Sequence, residues 1–206
     1  MSMKLSEVLN ISRHSELNTL AVKDNNESLV SFVNLGILEL YSQFALDSEE
    51  FIIPLRSDRT IYDLPHDFMY LVSAYESYGA GQQGSVNLPV NNENDPNSVN
   101  TINFRQVQIA NSQDGKYVGV IYVKKPEAFT VDDLDKELPI PDQLVQPLLN
   151  FMAFKGHSAV RLDGQGEGDI YYLRFKKSCD DILKQGTSIA ADDLNMDTRI
   201  HDRGFP

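Results

Sequence analysis

The sequence holds a single cysteine, Cys179. That excludes an intrachain disulfide and a multi-thiolate metal centre, so any core must be built by apolar packing. No apolar run approaches the roughly 20 residues that a membrane-spanning helix needs, and no membrane partner is expected. The opening MSMKLSEVLN has neither the basic nor the apolar block of a secretory signal, which makes the cytoplasm the expected place of synthesis. Positive charge is scarce as well: 18 Lys and Arg stand against 30 Asp and Glu, a formal charge of −12. Gripping nucleic acid through its phosphates requires a basic face, so that role is disfavoured. An acidic surface beside DNA would instead repel it and leave it free to slide.

Chemistry-bearing constellations are equally sparse. There is no G-x-S-x-G elbow and no His-x-x-x-His pair. His14, His66, His157 and His201 lie in four separate segments and read as surface or capping residues. Asp132, Asp133, Asp135 and Glu137 cluster without the glycine and oxygen spacing of a calcium loop, and read as a solvated helix start. The run from Gly164 to Gly168 lacks a following Lys-Ser or Lys-Thr, and its own negative charge would repel a phosphate. Cys179 sits on the apolar side of its segment and reads as core. No catalytic residue, cofactor or metal ligand is assigned.

What is present is a clear change of period along the chain. Leu5, Val8 and Leu9 make one face of a short helix. From Glu27 to about Leu46, residues Leu29, Phe32, Val33, Gly36, Ile37, Leu40, Tyr41 and Phe44 recur at three- and four-residue spacing, a wide amphipathic stripe. Gly36 inside it reads equally as a close approach of another helix or as a tolerated glycine. Strand character follows. Residues 51–55 and 60–62 read as a hairpin, 69–75 as a third strand, and 104–109 and 117–123 as a further hairpin across Asp114-Gly115. Residues 79–100, rich in Gly, Asn, Gln and Ser, read as a long polar surface loop.

Helical pattern returns after Pro139. Asp142 is positioned to cap a helix burying Leu144, Val145, Leu148, Leu149, Met152, Ala153 and Phe154. A last helix offers Ile170, Leu173, Phe175, Cys179, Ile182 and Leu183, with Gly186 as terminator. Ile37, Leu40, Phe44, Leu148, Leu149, Met152, Leu173 and Phe175 are expected to share one core. The predicted class is α+β. A discontinuous helical bundle, 1–50 with 136–186, carries an inserted antiparallel β domain, 51–135, and an extended C-terminal arm, 187–206. That arm holds too little apolar surface to build a core, and its composition alone fits a docking segment and an end without a role equally well.

The stretch RTIYDLPHDF holds the sharpest local signal. Pro65 cannot donate to a ladder and biases Leu64 toward extended geometry. Asp67 is placed to cap a turn before Phe68. Tyr62, Asp63, Leu64, Pro65, Asp67 and Phe68 thus read as a corner, with Tyr62 and Leu64 as core residues and Pro65 setting the shape.

Taken in order, the helix LVSFVNLGILELYSQF, the corner FIIPLRSDRTIYDLPHDF, the strand YVGVIYVKKP, the proline-led helix IPDQLVQPLLNFMAFKG, the helix YYLRFKKSCDDILKQG and the ending DRGFP resemble the head-to-tail adaptor proteins of tailed bacteriophages, the tail tubular A type included. The resemblance implies a structural virion protein, not an enzyme, made in the host cytoplasm and placed at the head-to-tail interface. It implies a homo-oligomeric ring, commonly of twelve copies, between the portal protein and a tail or nozzle protein, with DNA passing through the lumen. It also implies that the C-terminal arm docks on the portal through Leu194, Met196, Arg199, Ile200, Asp202, Arg203 and Phe205, and that the corner carries the chain from the helices into the β domain. Two other readings stand beside it. The first is a binding module whose β domain recognises a protein or carbohydrate, for which an exposed row of Tyr70, Tyr75, Tyr117 and Tyr122 would speak. The second is a hydrolase using the carboxylates of 132–137, which would need a concave acidic pocket.

Overall fold

The computed structural model describes residues 3–77, 86–160 and 167–184. Helix and antiparallel sheet occur in separate parts of the chain, so the class is α+β. Two compact units result: Met1–Phe44 with Pro126–Pro206, and Ala45–Lys125.

In the first unit, α1 (Leu5–His14), α2 (Asn26–Gln43) and α4 (Glu167–Lys184) all pack on α3 (Val145–Val160). The Asn25 side chain accepts from Ser28 N at 3.0 Å and so satisfies one of the orphan donors at the start of α2. That helix ends at Gln43, short of Leu46, because Phe44 turns extended and buries its ring. Gly36 does mark a close approach. A Cβ there would fall 2.5 Å from Leu148 Cδ1, so only glycine lets α3 lie this near α2. Asp142 does not cap α3; Pro141 precedes a 3-10 turn at Asp142–Leu144 that leads into the helix. Pro147 falls in the first turn of α3, where its missing N–H is not needed.

The periodic residues of α2 and α3 form the core of this unit: Leu29, Val33, Ile37, Leu40, Leu148 and Met152 are all buried. Phe175 and Cys179 join them from α4. Leu173 does not. It is 65% exposed, and Ile170 and Leu183 are also exposed, because α4 turns Tyr171, Tyr172, Phe175, Ser178, Cys179 and Ile182 inward instead. Aromatic rings close the α3–α4 contact, with Phe151 edge-on to Phe175 at 5.2 Å and Phe154 tilted on Tyr172 at 5.0 Å.

In the second unit, β1 (Ser48–Pro54), β7 (Tyr117–Lys124), β3 (Phe68–Ser77) and β4 (Asn87–Leu88) form one sheet in that order. β2 (Ile61–Asp63), β6 (Gln106–Ile109) and β5 (Val99–Asn103) form another. All strand pairs are antiparallel. The alternation Val118, Val120, Tyr122 on β7 meets Tyr62, Val99, Val107 and Ile109 from the smaller sheet in one hydrophobic core.

The two expected hairpins are absent. β1 pairs with β7 and β2 with β6, so the two strands of the first expected hairpin enter different sheets. The turn with Gly115 at φ +77° likewise links β6 to a strand of the other sheet. The polar stretch is also not a plain loop. Its described part supplies β4, a Val90–Val99 bridge and the start of β5, with Val99 fully buried. Leu88 and Val90 pack against the same core as Val99.

Leu148→Ala is expected to lower the unfolding free energy by about 2–5 kcal/mol, the range for a buried leucine. Leu173→Ala should stay within about 0.5 kcal/mol, as an exposed position does. Paired urea titrations read both, and a loss at Leu173 as large as at Leu148 would contradict the burial described here.

Candidate functional site

The corner lies inside the β unit. It joins β2 of the smaller sheet to β3 of the larger one, whereas the chain passes between units at Phe44–Ala45 and again at Lys125–Pro126. It is therefore not the passage from the helices. Tyr62 is 1% exposed and its hydroxyl ties down the preceding loop, accepting from Arg56 N at 2.9 Å while facing Arg59 O at 3.0 Å. The Arg59 guanidinium covers its ring at 4.5 Å. Leu64 is buried and donates its N–H to Arg105 O at 2.7 Å, and Asp63 accepts from Gln106 Nε2 at 2.9 Å. Pro65 begins the turn closed by Phe68 N to Pro65 O. Asp67 caps nothing. Its carboxylate accepts from the Tyr122 hydroxyl, which also donates to Glu49, while Lys124 Nζ reaches Glu49 at 2.7 Å. Burial, then the Asp67 and Glu49 charges, push the Tyr122 hydroxyl well above its ordinary pKa. Tyr122 thus serves packing, and Tyr75 is buried on the opposite face of the sheet. Tyr70 and Tyr117 are half-buried, so these four tyrosines form no exposed row.

The acidic cluster is not a helix start. Residues 126–140 run back along the helices in turns and extended chain. The Asn34 side chain exchanges two hydrogen bonds with the Phe129 backbone, and Tyr41 donates to Pro139 O at 3.0 Å. Leu134 O and Lys136 O accept from Ser6 N and Leu5 N, satisfying donors at the start of α1. Within this strap the Lys136 ammonium, then the Thr130 amide and hydroxyl, lower the Asp133 carboxyl to about 2. Asp135 lies 3.8 Å from Lys4. Among the described residues no cluster of three His, Cys, Asp or Glu could hold a metal ion, and no helix is long and apolar enough to cross a membrane.

His157 is a buried residue, not a surface one. Its Nε2–H donates to Glu16 O at 3.0 Å and its ring stacks on Tyr171, whose hydroxyl donates to Glu16 at 2.6 Å. Cys179 is buried, and its thiol is pushed up to about 12 by burial and then by Asp180 and Glu39. The arm residues Leu194, Met196, Arg199, Ile200, Asp202, Arg203 and Phe205, with His201 and Gly186, lie outside the described residues.

Two features escaped the sequence reading. Phe104 and Arg105 are not strand but the tip of the β5–β6 hairpin, with Phe104 85% exposed. The available signal was Asn103, whose side chain accepts from Arg105 N at 2.9 Å as an Asx turn. The second is a cleft of about 490 Å³ lined by Leu55, Leu88, Ile109 and Val118 together with Glu76 and Lys116.

The molecule is thus a helical unit and an inserted pair of β-sheets, with Tyr62, Asp67, Asn34, Tyr41 and His157 hydrogen-bonded within the fold. Over residues 3–197 the chain matches the SU10 adaptor protein family and belongs to it. That family consists of phage head-tail adaptors, which makes the chain a structural component of the phage particle. None of the curated proteins compared with it is a significant match. A chain in a solved structure described as the neck of an empty GTA particle computed with C6 symmetry is similar over 84% of this chain and 89% of that one, at 11% identity and a TM-score of 0.29. Similarity that low adds no argument about this fold.

Tyr62→Phe removes the hydroxyl that pairs the Arg56 amide and should cost about 1–3 kcal/mol, the range for a buried backbone group left unpaired. Thermal unfolding against Phe68→Tyr and the parent chain reads it. A melting temperature unchanged by Tyr62→Phe would show that the hydroxyl does not hold the corner.

Proposed function

We propose that the protein is the adaptor ring between the portal and the tail or nozzle, acting structurally and not as an enzyme. The observation that carries this is the family match across residues 3–197. In this reading the helices on either side of the β unit form one discontinuous bundle and copies join side by side around the DNA path. The charge of −12 suits such a conduit, since acidic walls repel phosphates and let DNA slide. The purified protein should then show little affinity for duplex DNA in a mobility-shift assay at moderate salt. Tight, salt-sensitive binding would overturn the conduit.

Residues 187–206 dock on the portal. Leu194, Met196, Ile200 and Phe205 are spaced as apolar anchors, and Arg199 and Arg203 offer charge-assisted bonds to acidic groups of the partner, with Asp202 between them. Deleting 187–206 should leave the melting temperature of the protein unchanged while abolishing its assembly onto the portal. Truncated protein that still joins the portal and yields DNA-retaining particles would remove the arm from this account.

A further inference from the structure

We infer that the β5–β6 hairpin tip of one copy inserts into the β-unit cleft of the next copy, forming the contact that propagates the ring. The inference rests on the adaptor reading above and deepens it. Phe104 stands 85% exposed at the tip, beside the exposed Ile102. Phe104 and Ile102 together give the tip a continuous exposed apolar surface, the kind that marks a contact site. The same unit offers a receiver. Its cleft of about 490 Å³ is bottomed by the buried core residues Leu55, Ile109 and Val118.

Tip and cleft lie at opposite ends of β6. The turn at Phe104 and Arg105 precedes Gln106, and Ile109 closes the strand at the cleft. They are separated by on the order of 15 Å of extended chain, so a tip does not reach its own cleft. Two different surfaces on one copy, complementary to each other, make a heterologous contact, the kind that closes into rings. The charges are also complementary. The tip carries Arg105 and the nearby Asp63, and the cleft carries Glu76 and Lys116. Among the described residues Arg105 and Glu76 have no ion-pair partner within the chain. Both are available to a neighbour.

The test uses the full-length protein bound to its portal. Ile102→Cys, which keeps Phe104, combined with Gln113→Cys at the cleft should give a ladder of covalent oligomers with a short bismaleimide, and each single variant only monomer. Cys179 is buried and does not compete. Arg105→Glu should lower recovery on the portal by about tenfold, as loss of an interface anchor does. Adding Glu76→Arg in the same chain should restore it. Because Ile102 and Arg105 are exposed, unchanged melting temperatures will separate lost assembly from lost folding. Portal-bound protein that gives no ladder overturns the tip-in-cleft contact and leaves the adaptor reading standing. Failure of the parent chain to bind the portal overturns that reading, and the contact with it.

Discussion

The antiparallel pairing of β1 with β7 is the constraint on which the rest of this chain depends. These are the first and last strands of the inserted unit, and they run side by side from Ser48 opposite Val123 to Pro54 opposite Tyr117. Their pairing returns the chain to the place where it left, with Lys124 N donating to Asp47 O at 2.9 Å. An insertion must bring its two ends together, and a ladder between first and last strands does so with backbone bonds alone. Everything between them can then be spent on two sheets and their turns. A hairpin of β1 with β2, as local sequence suggests, would have left the returning strand without that anchor.

In the helical unit the comparable role falls to α3. It meets α1, α2 and α4, and its small residues set the approach distances. Gly156 admits Leu17 as Gly36 on α2 admits Leu148, each leaving no room for a Cβ. Its aromatic side then joins α4 through Phe151 and Phe154. The strap of 126–140 completes the unit by polar means. It fills the donors at the start of α1 and pairs with the Asn34 amide of α2, and Asp133 within it accepts from the Thr130 amide and hydroxyl.

Most of the polar side chains that attract attention in this sequence are consumed by structure. Tyr62 holds a loop, Asp67 receives Tyr122, Asp114 accepts from both the hydroxyl and the amide of Ser57, and His157 reaches a backbone carbonyl. What is left on the surface includes the exposed Phe104 ring and the exposed Ile170, Leu173 and Leu183 of α4, the last three set among charged residues. That distribution fits a component whose work is done by contact with neighbours, as membership of a head-tail adaptor family implies.

The sequence by itself determined the elements whose period is long or strict. α1, α2, the buried stripe of α3, and strands β3 and β7 were legible because each repeats its apolar residues over enough positions to outweigh chance. The order of those parts also carried the family resemblance. Only the tertiary structure decided which strand meets which, since register and partner depend on residues far apart in sequence that no local pattern encodes. It likewise decided which side of α4 turns inward. Leu173 and Phe175 are equally apolar, and only the position of Phe151 on α3 makes one core and the other surface. The same holds at Val99 and Phe104: an isolated valine became core and a strand-like phenylalanine became a tip, because the three-stranded sheet had room for one and turned at the other.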